Sequence, residues 1–175
     1  MAAKRKSNDP VWSDNSAMTT TLSSDTTRIL RHLIAAIAYR SSRSLRDAPA
    51  GFENVRLSDD GMSAGELVLH ITNVMSFALA IVTRTARVRH DAMAWQQQVE
   101  RFYALLGEVD AKLEQSATVE EGMDLKLVQG PLADTLTHIG QLHAMRRKAG
   151  APIGAANYVV ADVQIGRTAL EDQAG

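Results

Sequence analysis

The chain has 175 residues, 45% of them hydrophobic, enough for one domain with a real core and too few for two ordinary ones. Its charges nearly cancel, with 19 Lys and Arg against 20 Asp and Glu, so no overall field draws it to nucleic acid or to an anionic membrane surface. Cysteine is absent, which excludes disulfides, thiolate metal sites and a cysteine nucleophile, and the 5% of aromatic residues offer no stacking platform for single-stranded nucleic acid.

Residues 1–23 are rich in Ser, Thr, Asn, Asp and Lys around Pro10 and Trp12, show no periodicity, and predict a mobile N-terminal arm. The basic residues 4–6 are followed by polar residues instead of an apolar stretch, so no secretory signal is read and a cytoplasmic location is expected. From Asp25, a plausible N-cap, the residues Ile29, Leu30, Leu33, Ile34, Ile37 and Ala38 recur at helical spacing and predict a first helix ending near Pro49 and Gly51. His32 falls beside that stripe and reads as a surface or boundary residue. Residues 50–62, with Asp59, Asp60 and Gly61, form a loop.

Ser63 with Glu66 three residues later is the capping-box pattern that opens a second helix, whose inward stripe is Leu67, His70, Ile71, Val74, Phe77, Ala78 and Ile81. The run from Leu67 to Val82 is interrupted by His70, Thr72, Asn73 and Ser76 and is too short to cross a bilayer, so it reads as a buried helix. Arg84, Arg87 and Arg89 read as its exposed basic end, facing the negative pole of the helix dipole. Asp91 is a candidate N-cap for a third helix, where Trp95, Val99, Phe102, Leu106, Val109 and Leu113 make a seam, and His90 is a junction residue. After a loop at residues 116–122, Pro131 suits the first turn of a fourth helix reaching Lys148, or a kink if residues 125–128 are helical too. Four helices with short connections predict an all-α, antiparallel four-helix bundle over residues 24–175. The tail NYVVADVQIGR is a short helix or an extended segment docked on it.

Asp134 and His138 lie four apart, so they share one helix face and can converge on one ion. His70 is the candidate third ligand, and a carboxylate with two imidazoles leaves coordination positions open for water or substrate. Gln141 lies near the same face and can orient a ligand or a bound water. Asn73, a helical neighbour of His70, and Tyr158, in the tail, are the further candidates for contact with water or substrate. His143 is five residues after His138, roughly 140° around the helix, and is not counted. The plainer readings are a hydrogen-bonded histidine on an apolar stripe and an aspartate favoured by the dipole at a helix start.

The order GELVLHI, then THIGQL, then RRKAGAP resembles the DinB-like (DinB/YfiT) superfamily over most of residues 25–165. That resemblance implies a four-helix bundle, often dimeric, holding a divalent metal, nickel, zinc or iron, on three histidines. His70 and His138 match two of those positions, and Asp134 stands where the family pattern has histidine. It also implies a thiol-dependent transferase, the metal lowering the pKa of a low-molecular-weight thiol, while a metal-assisted hydrolase follows from the same chemistry applied to water. Homodimerisation and a small-molecule substrate are expected, with neither nucleic acid nor membrane as partner. The alternative is a metal-free, non-catalytic bundle that is stress-related or binds a ligand.

Overall fold

The computed structural model describes residues 18–115 and 117–173. The chain is mostly helical: α1 (Ser24–Leu45), α2 (Ala64–Thr83), α3 (Trp95–Glu114), a short α4 (Met123–Leu127) and α5 (Ala133–Lys148). The expected arm lies outside the described residues up to position 17. Its last part does not: Thr19–Thr21 form β1, paired antiparallel with β2 (Thr118–Glu120) in the register Thr20 opposite Val119. The N-cap of α1 is accordingly Ser23 and not Asp25, its side chain accepting from the Thr26 N–H.

Each long helix packs against two others: α1 and α2 both touch α3 and α5. Directions follow from the cross-links. Arg31 and Ser41 of α1 meet Asp110 and Tyr103 of α3, so those helices are antiparallel, as are α2 and α5, where His70 meets Asp134 and His138, and Met75 meets Thr135. Arg40 and Ser44 of α1 meet His143 and Arg146 of α5, so that pair is parallel.

α2 and α3 also run parallel: Gln98 in the first turn of α3 donates to the Gly65 carbonyl in the first turn of α2. Short connections predict antiparallel neighbours, and this pair departs from that expectation because residues 84–94 are not a short connection in space. Extended at ~3.3 Å per residue, they can retrace the whole of a 20-residue helix rising ~1.5 Å per residue. The return is pinned at two levels. Ser76 donates to the Val88 carbonyl, while Asn73 accepts the His90 N–H at 2.8 Å and donates to the His90 carbonyl at 3.0 Å. For the same reason the start of α3 falls at Trp95 after Ala94, with no side-chain cap from Asp91.

The core draws on every long helix: Leu30, Ile34 and Ile37 of α1, Leu67, Ile71 and Met75 of α2, Phe102 and Leu106 of α3, Ile139 and Leu142 of α5 are all buried. α2 is packed into this core, as its apolar run predicts. The bidentate Arg31–Asp110 pair, at 2.9 Å on both arms, is shielded beside it and ties α1 to α3. Residues 151–173 form neither helix nor strand. They dock as an irregular segment, held where Arg43 donates to the Gly154 carbonyl and Arg46 to those of Leu170 and Gln173.

Because Asn73 closes both hydrogen bonds of the returning connector at His90, Asn73→Ala is expected to cost about 1–3 kcal/mol in urea denaturation and to speed hydrogen exchange at the His90 amide. Unchanged exchange there would show that the connector is held by other contacts.

Candidate metal centre

Two helices deliver the three candidate ligands. On α2, the capping box fixes the first turn: the Ser63 N–H donates to Glu66 at 2.7 Å and the Glu66 N–H to the Ser63 hydroxyl at 3.2 Å. These bonds, the Ser63 backbone first and then Arg56, hold the Glu66 carboxyl below its ordinary pKa. His70 follows on a half-buried face between the buried Leu67 and Ile71.

Of the two expectations for Pro131, the start of a helix or a kink in one that already includes residues 125–128, the second is the nearer. Helix starts at Met123, and Val128–Leu132 form a π-helical turn that carries it straight into α5. Proline has no N–H to donate, and its ring would strike the carbonyl four residues back in an α-helix. The wider turn accommodates it, with the Ala133 N–H reaching the Val128 carbonyl five residues back. Asp134 therefore sits inside a continuous helical run. The dipole at a free helix start does not account for it.

The carboxylate of Asp134 lies between two imidazoles: Oδ2 is 3.3 Å from His70 Nε2 and Oδ1 is 3.3 Å from His138 Nε2. The three ligand atoms lie within 4.8 Å of one another, and the two rings stand edge to face with centroids 4.7 Å apart. Ligands about 2.0–2.2 Å from a divalent ion are themselves spaced by roughly 3 Å or a little more, so the carboxylate-to-imidazole distances suit a shared ion. Elsewhere between the same two helices, the buried Thr135 hydroxyl donates to the Met75 sulfur at 3.6 Å.

Gln141 supplies the outer support. Its Oε1 is 3.0 Å from His138 Nδ1. When Nδ1–H donates to that oxygen, the lone pair of a neutral ring is on Nε2, which faces the cluster. His138 is enclosed, with 12% of its side chain exposed, whereas His70 at 40% and Asp134 at 45% border solvent. On that open side lies a cavity of about 560 Å³. Its walls include His70, Val74, Phe77 and Arg87 on one side and Gly130, Pro131, Asp134 and Thr137 on the other.

The remaining sequence candidates fall elsewhere. Asn73 points away from the cluster and clamps His90, as described above. Tyr158 packs under Arg40, whose guanidinium carbon is 3.8 Å from the ring centroid, and edge-on to Tyr39, both on α1. His143 is directed to α1, bonding the Arg40 carbonyl at 3.0 Å. His32 is exposed. Arg87 was read as part of a basic helix end, but α2 stops at Thr83 with Arg84 as a left-handed cap at φ 54. Arg87 belongs to the returning connector, which brings it back over Phe77 into the cavity wall. Its charge was visible in the sequence and the reversal was not.

Comparison with protein-family models, curated proteins and solved structures finds no match to this chain.

Burial pushes the His143 pKa down, opposed by the bond to the Arg40 carbonyl and reinforced by Arg43, Arg147 and Arg40; burial likewise lowers His90. The unfolded chain binds these protons near pH 6.5, before the folded protein does. Stability should therefore fall as the pH drops through about 6.5 and level off below the folded pKa values. His143→Gln should show a smaller loss of urea midpoint between pH 7.5 and 5.5 than the unsubstituted protein. An equal loss would mean that His143 does not contribute to the acid sensitivity.

Proposed function

We propose that this chain is a DinB-like four-helix-bundle protein that holds one divalent transition metal on His70, Asp134 and His138, at the mouth of a substrate cavity. The observation that carries the reading is the convergence of a carboxylate and two imidazoles from two helices, with an open side. The resemblance in sequence order supports it, since His70 and His138 are the positions it marks. Aspartate at 134 keeps an oxygen donor where the pattern has a nitrogen donor, giving a two-histidine, one-carboxylate set suited to nickel, zinc or iron. A bound ion of this kind lowers the pKa of a coordinated thiol or water, supplying the nucleophile that a chain without cysteine lacks.

The residues of the chain divide that work. Asp134 neutralises part of the ion's charge, His138 is oriented by Gln141, and His70 stands at the exposed rim where an incoming molecule meets the site. The apolar wall of Val74, Phe77 and Pro131 keeps water from one side of the cavity. The activity that fits is group transfer to or from a low-molecular-weight thiol, or hydrolysis. A second reading has its own support in the same geometry: two ring N–H groups donating to one carboxylate form a self-contained hydrogen-bonded cluster, in a metal-free ligand-binding bundle.

Calorimetric titration of the untagged, chelator-treated protein with Ni²⁺, Zn²⁺ and Fe²⁺ separates the two. One ion is expected to bind per chain. His70→Ala and His138→Ala should each lower affinity more than Gln141→Ala, for which a loss of roughly 10–100-fold is expected. Failure of all three ions to bind, or binding indifferent to both histidine substitutions, would leave the hydrogen-bonded cluster as the correct description.

A further inference from the structure

We infer that the cationic cleft where the C-terminal ends of α1 and α5 meet the tail binds the phosphate group of a soluble small molecule, independently of the metal reading. The cleft lies roughly 12 Å along α5 from His138, at ~1.5 Å rise per residue. Arg43 in the last turn of α1, Arg46 at its C-cap and Arg146 of α5 line it, together with Pro152 and Ile153 of the tail. Gly150 shapes the tail's approach: its φ of 73 turns the chain back, so that the Ala151 carbonyl accepts from Arg146 Nε at 3.0 Å. The run RRKAGAP, which the metal centre leaves unused, thus supplies a cation and part of the wall. At about 240 Å³ the space is below the ~300–1,000 Å³ of sites that enclose a whole small molecule, so it takes the phosphate end and leaves the rest outside.

The three guanidiniums are held without being neutralised. Arg43 donates to the Gly154 carbonyl, Arg46 to those of Leu170 and Gln173, and the buried Arg146 to those of Ala151, Ser44, Arg46 and Asp47. Carbonyls accept hydrogen bonds and leave the positive charge in place. Among the described residues no carboxylate is in ion-pair contact with any of the three, and Asp47 is the one acidic residue bordering the cleft. The parallel C-terminal ends of α1 and α5 add roughly half a negative charge each, which with Asp47 still leaves a positive surplus. Arg40 and Arg147 enlarge it: after burial, Arg43, Arg147 and Arg40 are the groups that lower the pKa of the neighbouring His143. Such a surplus calls for more than one negative charge. Guanidiniums reaching the cleft from three points of the fold match the three terminal oxygens of a phosphate monoester better than the two coplanar oxygens of a carboxylate. Because the carbonyls already order these side chains, little of their freedom is lost on binding. Arginines that only cap α1 and tie down the tail give no preference for phosphate over acetate.

The test is calorimetric titration of the full, chelator-treated chain at constant ionic strength, comparing inorganic phosphate and glycerol 3-phosphate with acetate and glycerol. One phosphate or one glycerol 3-phosphate is expected to bind per chain at millimolar concentration or below, with neither acetate nor glycerol binding in that range. Arg43→Gln and Arg46→Gln should each weaken binding about 10-fold, the effect of a charge-assisted hydrogen bond, and Arg43→Lys should retain part of it. Lys148→Gln should change nothing, since that ammonium is turned to the Leu57 carbonyl. In the unsubstituted protein the amide resonances of Ile153 and Gly154 should shift as phosphate is added, which keeps the test decisive where a variant fails to fold. Absence of phosphate binding, acetate binding as tight as phosphate, unmoved Ile153 and Gly154 amides, or affinity indifferent to both glutamine substitutions would each overturn the inference. So would binding to phosphatidate vesicles without binding of glycerol 3-phosphate, which would move the source of the phosphate from a soluble molecule to a lipid.

Discussion

The constraint on which the rest of the structure depends is the burial of α2. Leu67, Val68, Ile71, Met75, Ala78 and Ile81 span an arc of roughly 140° at about 100° per residue, too wide for one neighbouring helix to cover. The fold answers with α3 on one side, α5 on the other and the connector laid along the helix. Parallel α3 requires that connector to return the length of α2, and its polar backbone then needs partners on an otherwise apolar helix. Asn73 and Ser76, polar residues interrupting the apolar run, supply them. The same arrangement places His70 on the face turned to α5 and brings Arg87 back to the rim of the cavity.

Placing a carboxylate between two imidazoles at that seam is costly unless every atom finds a partner. Asp134 offers one oxygen to each ring, Gln141 meets the far nitrogen of His138, and the half-exposed rims of His70 and Asp134 border solvent. The π-helical turn contributes by joining α4 to α5 through Pro131, which makes Asp134 an interior residue of a long helix. A side chain carried on a continuous helix is held more rigidly than one at a frayed end.

Much of this was legible from residue spacing. The capping box at Ser63 and Glu66, the α3 seam from Val99 to Leu113, the buried character of α2 and the pairing of Asp134 with His138 are all local, determined by helical periodicity. His70 was recoverable from its place on the inward stripe of α2 and from the order of motifs around it. What escaped the sequence depends on partners distant along the chain. Thr19–Thr21 needed β2, roughly a hundred residues later, to become a strand. Pro131 left a helix start and a kink in a longer helix both open, because nothing local shows that a preceding turn will widen to admit it. Asn73 is four residues from the Phe77 that borders the cavity, yet its amide turns to His90, since the connector's unpaired backbone competes for it. Tyr158 is a candidate contact for water or substrate in the sequence, whereas in the fold Arg40 and Tyr39 of α1 hold its ring.

The account stands or falls on the point where His70, Asp134 and His138 meet. The most direct measurement is anomalous X-ray diffraction from crystals of untagged protein soaked with nickel or zinc, recorded on both sides of the metal edge. The account predicts one strong peak per chain, at coordination distance of about 2.0–2.2 Å from an imidazole nitrogen of His70, one of His138 and a carboxylate oxygen of Asp134. A map with no peak there, and with both rings still hydrogen-bonded to the carboxylate, would contradict it.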